Sequence, residues 1–228
     1  KNGKINYVTE KVVKDSTITL TINNEINRNL SAIEDSLEEF AVGYLFNENM
    51  VKSIDDIEKI EINENHINVE IDDKLLKTKE TVLCSDSSGG WRSKIKEIEP
   101  IISDFQVEAD ELINRIEELK NNAQIWQATG GTHVAGIVYK NNFIVKEDVS
   151  RHVAVDKVIG YGILHNYDLS NSYVIYSGRM PADMVIKIVR AGIPVLASNA
   201  APAYSGCETA KKGNVTLVGF LRGQRFNV

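Results

Sequence analysis

The densest chemistry in this chain is EDVSRHVAVDK, Glu147–Lys157, where two acids, an arginine, a histidine, a third acid and a lysine fall within eleven residues. The apolar positions Val155, Val158, Ile159, Gly162 and Ile163 recur at helical spacing. They predict the start of an amphipathic helix with Glu147 and Asp148 near its N-terminus, where unpaired N–H groups favour acids. His152 and Asp156 are four apart and share a side next to the apolar stripe. A salt-bridged helix start accounts for the same residues without any ligand. The second chemical element is Cys84, which TVLC delivers into the polar loop SDSSGGW. A cysteine at the mouth of such a loop is accessible to a reaction partner. Arg92, Lys94 and Lys96 favour its thiolate, whereas Asp86 opposes it; an incidental exposed thiol is the alternative. Cys207, among the small residues of YSGCETAKK, reads instead as a core-facing small hydrophobe.

Three further stretches could meet a ligand. TGGTH (Thr129–His133) lets backbone approach closely at Gly130-Gly131 and presents His133. SGR (Ser177–Arg179) offers an arginine able to fork onto phosphate. FLRGQR (Phe220–Arg225) flanks Gly223 with two arginines. Each is weak alone, since a Gly-Gly pair is usually a turn and a lone histidine is usually satisfied in the fold. Together they point to a phosphorylated, nucleotide-like anion. There is no zinc-type ligand spacing, no nucleophile elbow, no Walker-type loop and no GxGxxG.

The elements that must position these residues alternate. Residues 1–80 predict a small α+β domain: a hairpin from Ser16–Ile22 turning at Asn23-Asn24, a capping box at Ser31 and Glu34, and a helix with Leu37, Phe40, Ala41, Tyr44 and Leu45 on one face. A second alternating pair follows, around Asn63–Asn65. Residues 81–122 hold the cysteine loop and a linking helix at Glu108–Asn121. Residues 123–228 predict strands at Val134–Tyr139, Phe143–Lys146, Tyr173–Tyr176, Val195–Ser198 and Thr216–Phe220. Helices follow Glu147, span Pro181–Arg190 with Gly192 as cap, and span Ala203–Lys212 up to Gly213. Repeated β-α-β alternation predicts an α/β fold, a three-layer α/β/α domain with parallel strands. Ligands of such sheets bind outside the strand C-termini.

With 228 residues there is ample core for one large domain or two small ones, and a net charge of −6 argues against a nucleic-acid partner. The charge is uneven: no acid follows Glu208, while Lys211, Lys212, Arg222 and Arg225 do. No apolar run reaches the roughly 18 residues of a membrane helix, and no secretory leader is apparent. Two distant cysteines fit a reducing cytoplasm.

TGGTHVA, EDVSRHVAVDK, SGR and the tail GFLRGQRFNV, in that order and spacing, resemble the formate dehydrogenase accessory sulfurtransferase family, usually written FdhD. SLEEFAVGYLFNENMV (Ser36–Val51) is similar to that family's Leu-Ala-Val-Gly-Phe-Leu helix, so the resemblance covers nearly the whole chain. It implies a rear domain like that of the cytidine deaminases without their zinc. It implies a sulfur carrier that accepts sulfur from a cysteine desulfurase as a Cys84 persulfide. The sulfur would pass to the bis-molybdopterin guanine dinucleotide cofactor, holding molybdenum or tungsten, for formate dehydrogenase or a related enzyme. The cofactor is cargo or substrate, and a guanine nucleotide would mimic it. Phe220, Leu221, Arg222, Gly223, Gln224 and Arg225 would receive the guanine dinucleotide portion. Thr129, Gly130, Gly131, His133, Asp148, Arg151, His152, Asp156, Lys157, Ser177, Gly178 and Arg179 would form the surrounding polar site. A homodimer is expected from family members. The chain departs from the family loop Cys-Gly-x-Cys-Gly, with Ser87 in place of the second cysteine, and carries Ser150 and Val153 where glycine and asparagine are usual. Either Cys84 suffices alone, or the protein is a non-catalytic module that binds or inserts the cofactor. A deaminase-like hydrolase is a third class, which bound zinc would support.

Overall fold

The computed structural model describes residues 3, 5, 7–75, 81–83, 91–93 and 98–228. The front of the chain is a four-stranded sheet under one helix. β1 (Ser16–Ile22) and β2 (Ile26–Ala32) form a hairpin with a three-residue loop, Asn23 and Asn24 in the left-handed region and the Glu25 N–H closing onto the Ile22 carbonyl at 3.0 Å. α1 (Leu37–Asn47) follows, then β3 (Ile57–Asn63) and β4 (His66–Ile71), giving the order β2-β1-β4-β3. Alternate residues Ile18, Leu20, Ile22, Ile67, Val69 and Ile71 point inward and pack under Phe40, Ala41, Tyr44 and Leu45. The expected capping box at Ser31 and Glu34 is not there: Ser31 lies in β2, and the helix begins after Ser36.

β5 (Thr81–Leu83) and β6 (Trp91–Ser93) pair antiparallel, and α2 (Ala109–Asn122) and the short α3 (Gln124–Thr129) lead into the rear sheet. That sheet is built from β7 (His133–Tyr139), β8 (Asn142–Asp148), β9 (Ser172–Tyr176), β10 (Val195–Ser198), β11 (Thr216–Arg222) and β12 (Arg225–Asn227). Its helices are α4 (Arg151–Leu164), α5 (Ala182–Arg190) and α6 (Tyr204–Gly213). The strand order is β12-β11-β10-β9-β7-β8. Only β9, β10 and β11 run parallel to one another. The β7–β8 hairpin and β12 are antiparallel, because a two-residue turn can only reverse a chain, so the expected parallel strands are β9, β10 and β11 alone. β9 is buried on both faces, with Tyr173 and Ile175 against α2 and Val174 and Tyr176 against α4 and α5. This makes three layers, as the alternation predicted.

Two boundaries shift. Glu147 and Asp148 end β8 and are not in a helical first turn; α4 starts at Arg151, and the Ser150 side chain accepts from the Val153 N–H. The stop of α6 is Asn214, in the left-handed region, while Gly213 is still helical and is glycine for packing, since a Cβ there would lie 2.4 Å from Val189 Cγ2. α4 is also not amphipathic. It is buried from His152 to Gly160, because α1 covers the side that the sheet leaves open. The two helices cross at Gly43 and Gly160, where a Cβ on Gly160 would stand 1.8 Å from the Glu39 carbonyl oxygen.

Candidate functional site

The registers gather the motifs on one rim of the rear sheet. β7 runs opposite to β9, so its first residue, His133, reaches the same end as the last residues of β8, β9, β10 and β11. TGGTH runs into the start of β7, EDVSRH begins at the end of β8, SGR follows β9, and FLRGQR spans β11 and β12.

Each stretch is tied down locally. Thr129 ends α3, donating to the Ile125 carbonyl at 2.7 Å and accepting from Gly131 N–H at 3.1 Å. Gly130 takes φ 66°, and Gly131 leaves room for Val13, since a Cβ there would lie 2.7 Å from Val13 Cγ1. Glu147 accepts from the Ile125 and Trp126 N–H groups and from the Thr132 hydroxyl, so it caps α3 and faces no ligand. His133 is half-buried, with Nδ1 3.5 Å from Ser177 Oγ; that oxygen accepts from Val134 N–H at 3.0 Å. Gly178 is buried between the Tyr176 ring and the Arg151 side chain. The Tyr176 hydroxyl donates to the Arg179 carbonyl, and burial holds that phenol far above its ordinary range, so it stays a donor. The Arg179 side chain is exposed.

FLRGQR is a hairpin, not a tail beyond the last strand. Phe220 and Arg222 lie in β11, Gly223 (φ 54°) and Gln224 make the turn, and Arg225 opens β12 opposite Arg222. Leu221 is fully buried in the core, so it does not face a ligand; Arg222, Gly223, Gln224 and Arg225 are exposed. Phe220 is 38% exposed and held at φ 56°, a costly conformation for a bulky residue, at the bulge between Gly219 and Arg222. Its N–H donates to the Ala200 carbonyl at 3.0 Å, and Arg222 Nε to the Asn199 carbonyl at 2.9 Å.

The charged centre of EDVSRHVAVDK faces inward instead. Lys157 and Asp148 are both fully buried and pair at 2.7 Å. Together they grip the end of β2, with the Ile33 N–H donating to Asp148 at 3.0 Å and Lys157 donating to the Ile33 carbonyl at 3.2 Å. Burial raises the Asp148 carboxyl above its usual range, against the pull of Lys157. Asp156 accepts from Lys187 of α5 at 2.5 Å and from Asn47 of α1 at 2.6 Å. His152 is fully buried, its Nε2 3.3 Å from Asp183 of α5. Arg151, half-buried, is the member of this group next to the rim. Asp156 and Lys157 thus join α1, α4, α5 and the front sheet. The arginines at the rim are Arg151, half-buried, and Arg179, Arg222 and Arg225, exposed. Sequence reasoning missed Lys187, although a lysine among Met184, Ile188 and Ala191 breaks the apolar stripe of its helix, and it missed Ser198 and Tyr176, which carry no such signal. Cys84 and Ser87 lie outside the described residues. Cys207 is half-buried, less enclosed than a core residue. Among the described residues no cluster of three or more His, Cys, Asp or Glu is placed to hold a metal, and no helix is long and apolar enough to cross a membrane.

A model of the FdhD/NarQ family matches residues 13–228, the front sheet and the rim alike. The chain belongs to the FdhD/NarQ family. It is 48% identical over 222 residues to a protein from Methanothermobacter thermautotrophicus named sulfur carrier protein FdhD, covering 97% of this chain and 90% of that one. To the protein FdhD of Methanocaldococcus jannaschii it is 34% identical, covering all of this chain and 92% of the relative. The crystal structure of a proposed formate dehydrogenase accessory protein from Desulfotalea psychrophila superposes with a TM-score of 0.82 at 26% identity, over all of this chain and 91% of that one. The mixed α/β architecture is therefore that of an FdhD protein.

Proposed function

We propose that this FdhD-family chain is a sulfur carrier for the maturation of formate dehydrogenase or a related molybdenum or tungsten enzyme. The observation that carries the reading is the arginine rim: Arg179, Arg222 and Arg225 are exposed at the edge where the parallel strands β9, β10 and β11 end, in a chain of net charge −6. Such edges receive phosphorylated ligands, and forked guanidiniums suit the pyrophosphates of a guanine dinucleotide. The donor set fits the bis-molybdopterin guanine dinucleotide as substrate. Arg222 and Arg225 hold its phosphates, and the exposed Phe220 ring lies beside them. Arg151 adds positive charge at the start of α4.

The sulfur itself is carried by Cys84. Its thiolate attacks the outer sulfur of a persulfide on a cysteine desulfurase; a new S–S bond forms at Cys84, and the desulfurase cysteine leaves as thiolate. Reaction rate then follows thiolate fraction and access. On this reading the protein works in the reducing cytoplasm, where both cysteines stay free of structural disulfides.

The test is incubation with a cysteine desulfurase and free cysteine, followed by intact-protein and peptide mass spectrometry. One reductant-sensitive extra sulfur on the Cys84 peptide is the expected outcome. A second reading, a non-catalytic module that binds or inserts the cofactor, is favoured by Ser87 standing where the family has its second cysteine. It predicts that Cys84 stays unmodified, that Cys84→Ser still activates the client enzyme, and that guanine nucleotide is still bound.

A further inference from the structure

Three loops make up the rim: residues 177–181 after β9, residues 199–203 after β10, and the β11–β12 hairpin. Each is polar backbone at a sheet edge, and nothing in the strands themselves fixes one loop against the next. One side chain touches two of them at once. Ser198 ends β10 and is fully buried. Its hydroxyl donates to the Gly178 carbonyl at 2.7 Å and accepts from the Ala200 N–H at 3.0 Å. A serine hydroxyl has one donor and two acceptor sites, so both bonds are made together without competition.

Ala200 passes the constraint onward. Its carbonyl takes the Phe220 N–H, and the neighbouring Asn199 carbonyl takes Arg222 Nε. The hydroxyl of Ser198 therefore joins the loop that presents Arg179, the loop after β10, and the strand that presents Phe220 and Arg222. Packing alone gives no reason for a serine here. Its strand neighbour is Ala197, also fully buried, and alanine would fill the same end of β10 without a polar group to desolvate.

Resting on the reading that this rim takes a guanine dinucleotide, we propose that Ser198 is the positioning residue that fixes the three rim loops against one another and thereby sets nucleotide affinity. The fold does not depend on it. The loops keep a second tie, Met180 N–H to the Ala201 carbonyl at 3.2 Å and Ala203 N–H to the Met180 carbonyl at 3.0 Å. Loss of the hydroxyl loosens the rim without opening the sheet.

The experiment uses the full chain with Ser198→Ala, and with Ser198→Thr beside Ser198→Val. The last two are alike in size and differ in the hydroxyl, so any overpacking cancels between them. Amide hydrogen exchange of residues 177–181 and 199–203 is followed in the free protein, and GDP binding is measured by calorimetry. Loops loosened in the free protein must be ordered when the nucleotide binds, which weakens binding by about tenfold or more. The expected result is about tenfold faster exchange in both loops and about tenfold weaker GDP binding for the Ala and Val variants, with a fall of only a few degrees in melting temperature and Thr close to the parent. Unchanged exchange or affinity in Ser198→Ala, or Thr and Val behaving alike, overturns the proposal. A parent protein that binds no GDP fails the cofactor reading separately, and the exchange data then decide alone whether Ser198 fixes the loops.

Discussion

Two clusters of charge stand side by side in this molecule and do opposite work. The seam between α1 and α4 buries Asp148 with Lys157 and Asp156 with Lys187 in short ion pairs. The rim a few residues away leaves Arg179, Arg222 and Arg225 in water. Residue type does not separate them, since the same EDVSRHVAVDK motif contributes Arg151 to the rim and Asp156 to the seam. Burial separates them. A charge taken out of water is costly, so it persists only with a committed partner, and a committed charge has little left to offer a ligand.

The contrast is sharpest at Lys187. Lys187→Met strands Asp156 in the interior, and a loss of about 3–5 kcal/mol in urea unfolding is expected. Adding Asp156→Leu should recover most of it, because two apolar groups need no pairing. If the double variant is no better than the single, the seam is not an ion-pair problem.

Next in size is the crossing itself. Gly160→Ala places a Cβ against the Glu39 carbonyl and forces α1 and α4 apart, for an expected loss of about 1–3 kcal/mol by the same measurement. On the rim the effect moves from stability to affinity. Arg222→Ala should leave the unfolding midpoint within about 0.5 kcal/mol of the parent. It should weaken GDP binding by about tenfold, with a shallower salt dependence, since the lost contact is charge-assisted. Smallest is Lys59→Ala on the outer face of β3. Its pair with Glu61, at 2.9 Å, is nearly as short as the seam pairs at 2.7 and 2.5 Å, but both partners are about half exposed. A resolvable loss of stability there would show that distance, not burial, governs these pairs.

This division explains how much the sequence could say. α5 and β10 were legible almost to the residue, because Pro181 and Gly192 bracket one and a short apolar run marks the other. Four stretches were expected at one edge of the sheet and are found there, since strand and helix alternation places loop motifs at strand ends. The fate of Asp156 and Lys157 was not legible. It depends on α1 and on Ile33, distant in sequence, and the same acids that suit a helical first turn also suit the end of a strand. Leu221 was carried into the site by its neighbours Arg222 and Phe220, but strand alternation turns it into the core while they face out. Ser198 gave no signal, because a serine after an apolar run looks like any loop start.

The seam also has a consequence for how the protein is made. Asn47 and Asp156, joined at 2.6 Å in the finished molecule, are 109 residues apart in the chain. At roughly 5–20 residues per second of synthesis, the front sheet and α1 leave the ribosome on the order of ten seconds before α4 exists to cover them. For that interval Gly43 and its apolar neighbours form an open face with no lid. The nascent front half is therefore where a chaperone should be found, and where a premature stop would leave an aggregating fragment.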